Sequence, residues 1–120
     1  MKKKILVVEN DKEILTIISY LLTEEGYDVH SLRSAEGLIS EIESYQPHAI
    51  LLDIIVPGIE DTELCKAIKS TKAINHIPLI VLSTHPTVYA TIKELCADEV
   101  ISKPFDINNL VEIVSNQLAA

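Results

Sequence analysis

Apolar residues come in short runs at Ile5 to Val8, His48 to Leu52, Pro78 to Leu82 and Val100 to Ile101, each too short for a helix and bounded by polar residues or proline. Such runs predict strands buried within a parallel sheet. A fifth segment, Asp28 to Leu32, follows Gly26 and alternates Val29 with His30, as an edge strand does. Between the runs the spacing becomes helical. Ile14, Ile17, Ile18, Leu21 and Leu22 fall on one helix face, with Gly26 as a stop. Leu38, Ile39 and Ile42 form a shorter stripe after Ser34, and Leu64, Cys65 and Ile68 a third, with Asp61 a candidate N-cap. Pro86 suits the first turn of a fourth helix carrying Val88, Ile92 and Leu95, and Asp106 can cap a fifth carrying Leu110, Ile113 and Val114.

Strand and helix thus alternate with short connections, which predicts an α/β doubly wound parallel sheet with right-handed crossovers. At 120 residues the chain is long enough for one core and too short for two, so residues 1–120 are expected to form a single domain. Hydrophobic residues make up 48% of it, but with one Phe, four Tyr and no Trp the core must be aliphatic.

Ten basic against eighteen acidic residues give a net charge of −8, which argues against direct binding to nucleic acid or an anionic membrane. Cys65 and Cys96 have no metal-ligand spacing, and a full aliphatic core has no need of a cross-link, so both are expected as reduced, buried thiols. The start, MKKKILVVEN, has only four apolar residues before Glu9, far short of a signal or membrane-spanning stretch, and a cytoplasmic location is expected. His30, His48, His76 and His85 are scattered without ligand spacing.

In a doubly wound sheet the functional crevice lies beyond the carboxyl ends of the strands. Glu9, Asn10 and Asp11 follow the first strand, Asp53 the third, Ser83 and Thr84 the fourth, and Lys103, Pro104 and Phe105 the fifth. Carboxylate and amide oxygens suit a hard cation such as Mg²⁺, which takes few protein ligands and keeps water and phosphate oxygens as the rest. Phosphoryl transfer needs an in-line nucleophile and cations at the equatorial oxygens. Asp53, a metal and Lys103 would supply these, and a hydroxyl at Ser83 could bond the attached phosphoryl group. That hydroxyl serves a helix cap equally well.

The segments KILVVENDKEI, ILLDIIVPGIED, PLIVLST and ISKPFDINNL, in this order, closely resemble the receiver domains of bacterial response regulators, and the resemblance covers the whole chain. It implies a flavodoxin-like (βα)5 fold with strand order 2-1-3-4-5 and helices on both faces. It also implies that Asp53 is the phosphoacceptor, with Ser83, Thr84 and Lys103 on the phosphate and Mg²⁺ held by Glu9, Asn10, Asp53 and the backbone carbonyl of Ile55. The Lys103–Pro104 bond is a candidate cis peptide by the same resemblance. The implied function is to take a phosphoryl group from a histidine kinase or phosphotransfer protein and signal by conformational change to a downstream protein or effector domain. Such a domain is no enzyme beyond its own phosphorylation and dephosphorylation. The resemblance also admits a homodimer through the predicted fourth and fifth helices.

Two residues depart from the family pattern. Asn10 stands where a second acid normally touches the metal, so Mg²⁺ is expected to bind weakly. Val100 stands where many receivers carry a Tyr or Phe whose ring moves in signalling. Both favour an alternative, a degenerate receiver acting as a phosphorylation-independent interaction module. A hydrolase of the Asp-nucleophile phosphatase type would want a second acid two residues after Asp53, and Ile55 is there instead.

Overall fold

The computed structural model describes residues 2–54, 59–83, 96–102 and 105–119, with the backbone alone at 54, 59–62 and 83. The four strong apolar runs and the weaker edge segment all become strands: β1 (Lys4–Val8), β2 (Asp28–Leu32), β3 (Ala49–Ile54), β4 (Leu79–Ser83) and β5 (Glu99–Ser102). All pair in parallel in the order β2-β1-β3-β4-β5. The described helices are α1 (Lys12–Glu24), α2 (Leu38–Tyr45), α3 (Ile59–Ser70) and, last in the chain, α4 (Ile107–Ala119). The expected helix carrying Val88, Ile92 and Leu95 lies outside the described residues.

Successive residues of a strand point to opposite faces, so the sheet divides the core in two. One layer joins Leu6, Val8, Ile50, Leu52, Val81 and Val100 to Leu38 and Ile42 of α2 and Cys65 and Ile68 of α3. The other joins Ile5, Val7, Ala49, Leu51, Leu82 and Ile101 to Leu15, Ile18 and Leu22 of α1 and Leu110, Val114 and Leu118 of α4. Both faces are therefore covered by helices, and among the described residues no helix is long and apolar enough to cross a membrane.

The ends of α1 follow from side-chain chemistry. Asp11 Oδ1 accepts the N–H groups of Glu13 (2.9 Å) and Ile14 (3.2 Å), a full N-cap. At the other end Gly26 takes φ +94°, a conformation that only glycine adopts without strain. Replacing Asp11 with Ala should destabilise the fold by about 1 kcal/mol, read as a lower urea midpoint with an unchanged slope. A loss near zero would show that the cap is replaced by water. At the start of α4, Asp106 Oδ1 likewise accepts from Asn108 (2.8 Å) and Asn109 (3.2 Å), as its position predicts.

Three expectations are corrected. Ile17 is 49% exposed, and Leu15 takes its place in the core. The face centres on Leu15, Ile18 and Leu22, and at 3.6 residues per turn Ile17 stands roughly 120° from that centre. Helix α3 begins at Ile59, so Asp61 lies inside its first turn and is not the N-cap. The two cysteines are joined in a disulfide, with Cα atoms 5.7 Å apart. The sequence separation of 31 concealed this, because only the crossover of α3 onto the face that β5 enters brings Cys65 beside Cys96.

Candidate functional site

The sheet register aligns the polar strand ends. Val8 of β1 pairs with Leu52 of β3, so Glu9 and Asp53 come one step later on neighbouring strands. Asp53 pairs with Leu82, Ile54 with Ser83, and Ser83 with Ser102 of β5. The acids, Ser83 and the residue before Lys103 are thus gathered at the carboxyl edge of β1, β3, β4 and β5. Asp53 is half-buried on the central strand.

Glu9 still belongs to the sheet through its N–H, which donates to the Leu32 carbonyl at 3.0 Å. It is 1% exposed, the one polar or charged residue in the buried class among the described residues. A buried carboxylate is retained only where hydrogen bonds or positive charge offset its lost hydration. Part of that offset is the Asp11 N–H, which donates to Glu9 Oε1 at 3.1 Å. Another part is the N-terminus of α1, which opens three residues after Glu9 and presents the positive end of its dipole to this edge.

Asn10 is exposed, and its carbonyl accepts from Arg33 Nη2 at 3.4 Å. Arg33 was not singled out by sequence reasoning. The signal available was its place directly after β2, by the same strand-end rule that selected the others. Asp11 commits Oδ1 to the cap of α1. Val100 is buried in the layer under α2 and α3, filling its place without a ring.

Thr84, Lys103, Pro104 and Ile55 lie outside the described residues, as do His85 and Tyr89, and for Ser83 only the backbone is described. Lys103 follows Ser102 of β5, and Phe105 just beyond packs into the layer under α1 and α4. Among the described residues no group of three or more His, Cys, Asp or Glu is placed to hold a metal. The described oxygen donors that follow β1 and end β3 are the carboxylates of Glu9 and Asp53 and the side-chain amide of Asn10. All are hard oxygen donors, and the set fits Mg²⁺ while carrying one formal charge fewer than three acids would.

Comparisons with known proteins agree with this arrangement. The family model described as the response regulator receiver domain matches residues 5–115. The alkaline phosphatase synthesis transcriptional regulatory protein PhoP of Bacillus subtilis (strain 168) is 33% identical over 107 residues. That match takes in 88% of this chain but only 44% of PhoP, so the chain spans less than half of that relative. A crystal structure described as a response regulator from Chloroflexus aurantiacus J-10-fl superposes with a TM-score of 0.90 at 26% identity, covering 100% of both chains. The receiver domain of the sensor histidine kinase PA1611 from Pseudomonas aeruginosa PAO1, solved with magnesium in its active-site cleft, has a TM-score of 0.86 at 20% identity, again over 100% of both chains. With the sheet order, the acid pair at the ends of β1 and β3 and a family match over nearly its full length, the chain belongs to the response regulator receiver domains of two-component systems.

Proposed function

We propose that the chain is an active phosphoacceptor, with Asp53 taking a phosphoryl group from a phosphohistidine on a histidine kinase or phosphotransfer protein. The observation that carries this reading is the half-buried Asp53 at the end of the central strand, one register step past the pairing of Val8 with Leu52 that also sets Glu9 beside it. An Asp53 carboxylate oxygen attacks phosphorus in line. The phosphorus–nitrogen bond of the donor breaks, and its electron pair stays on the imidazole nitrogen, which then takes up a proton. Glu9, Asn10, Asp53 and the Ile55 carbonyl would hold Mg²⁺, which when bound would supply positive charge at the phosphoryl oxygens. The Lys103 ammonium offsets the remaining charge, and Ser83 and Thr84 hydroxyls donate to the phosphoryl oxygens. The chain catalyses nothing beyond loading and losing this group, acts in the cytoplasm, and passes the signal to a downstream protein or effector domain. The magnesium in the PA1611 cleft is consistent with the metal assigned to this site.

Incubation with Mg²⁺ and acetyl phosphate, followed by peptide mass mapping, tests this. A lasting phosphoryl mass on Asp53 is the expected result. No adduct would favour the degenerate interaction module, for which the uncharged Asn10 is the supporting feature, and rapid turnover of the donor would favour a hydrolase.

Asn10 should set the metal requirement. An amide gives the cation an oxygen but no formal charge, so Asn10→Asp is expected to lower the Mg²⁺ concentration at half-maximal phosphorylation by roughly tenfold, about 1.4 kcal/mol. Equal midpoints for parent and variant would show that Asn10 takes no part in holding the metal.

A further inference from the structure

We propose that Cys65 and Cys96 form a reversible dithiol–disulfide couple, a redox-modification site separate from the phosphoacceptor edge. The two sulfurs join α3 to the turn that leads into β5, within the layer under α2 and α3. A second, non-covalent link joins the same two segments one helical turn away. Lys69 Nζ lies 2.6 Å from Asp98 Oδ2 and donates to the carbonyls of Ile77 (2.9 Å) and Asn75 (3.3 Å). Asp98 is itself fixed to β4, since its Oδ2 accepts the Leu79 N–H at 2.7 Å and its own N–H donates to the Leu79 carbonyl at 2.8 Å.

This clasp holds residue 98 against α3 whether or not the sulfurs are bonded. Opening the disulfide therefore leaves two thiols still facing each other, ready to close again. A permanent staple has little to add here, because the aliphatic core is continuous on both faces of the sheet. In reducing compartments the disulfides that do occur are mostly transient or redox-sensing. The reducing compartment belongs to the phosphorelay reading above, whereas the geometry stands without it.

Access sets the order of events. Cys96 keeps 8% of its surface open and Cys65 none, so exchange begins at Cys96. With a small-molecule disulfide such as oxidised glutathione as the oxidant, the Cys96 thiolate attacks one glutathione sulfur and the other glutathione leaves as a thiolate. The Cys65 thiolate then attacks Cys96 Sγ and expels the second glutathione. Two electrons pass from the cysteine pair to glutathione, and the two protons lost by the protein thiols go to the leaving thiolates.

The test equilibrates the native chain with mixtures of reduced and oxidised glutathione, approached from both directions, with acid quenching, alkylation and intact mass measurement. The expected result is a complete shift between doubly alkylated and unalkylated protein that follows the glutathione ratio, with the far-ultraviolet circular dichroism retained throughout. A bond that opens only after denaturant is added would make it a sealed structural staple and overturn the proposal. Thiols that persist in excess oxidised glutathione would overturn it equally. In single variants, Cys65→Ser should accumulate the glutathione adduct on Cys96, whereas Cys96→Ser should leave Cys65 unmodified while folded. Equal modification of both would overturn the order of attack. No phosphodonor is present, so failure here leaves the role of Asp53 untouched.

Discussion

Asp53→Asn is expected to abolish the phosphoryl adduct completely while leaving the fold intact. The amide that replaces the carboxylate is uncharged and a poor nucleophile. Glu9 is buried with Oε1 accepting from Asp11, and Asp11 has Oδ1 committed to the N-cap of α1. The substitution keeps side-chain size and removes one of two acids at adjacent strand ends, which relieves like-charge repulsion. Unfolding by urea should still show a single cooperative transition, which separates loss of the acceptor from loss of the fold. Acetyl phosphate with Mg²⁺ and mass mapping gives the functional readout, and an undiminished adduct, or one mapped to Glu9 or Asp11, would move the acceptor elsewhere.

The largest effect on stability is expected at Leu51. This residue is 0% exposed on the central strand, in the layer between the sheet and helices α1 and α4, two positions before Asp53. Truncation to Ala removes buried methyl groups and leaves a cavity whose walls, two helices and three strands, cannot all close on it. The expected cost is about 2–5 kcal/mol, against a total of roughly 5–15 kcal/mol for a domain of this kind. Ile17→Ala is the matched control, because that side chain is half exposed and its loss should change stability by no more than about 0.5 kcal/mol. Comparable urea midpoints for the two variants would contradict the facing of α1 on the sheet.

That pairing also marks how far the sequence could be read. The strands were legible because a strand buried on both faces must be apolar at consecutive positions, and Ile5 to Val8 or Ala49 to Leu52 leave no other reading. The helices were legible as elements, yet the facing of α1 was off by one residue, since Ile14, Leu15, Ile17 and Ile18 are all apolar and their order alone does not say which edge meets the sheet. Asp106 was recognisable as a cap from its place before an apolar stripe. Asp61 was not a cap, because α3 starts before its apolar stripe does.

At the site, strand-end positions were enough to pick out Glu9 and Asp53, because a parallel sheet brings those ends together wherever the helices run. The burial of Glu9 and the reach of Arg33 to the Asn10 carbonyl were not legible. Both depend on how the connection between β1 and α1 closes over its neighbours. The Cys65–Cys96 link was hidden for a related reason: it joins elements related only through the three-dimensional path of the crossover.

The division of the core by the sheet has a consequence for how this sequence can change. Volume lost at Leu51 can be recovered only by a larger side chain among its own layer, at Leu15, Ile18 or Val114, and never by enlarging Leu38, Ile42 or Val100 on the far side. Compensating substitutions should therefore pair within a layer, so that the two halves of the interior drift as separate ledgers of volume, coupled only through the backbone of the strands between them.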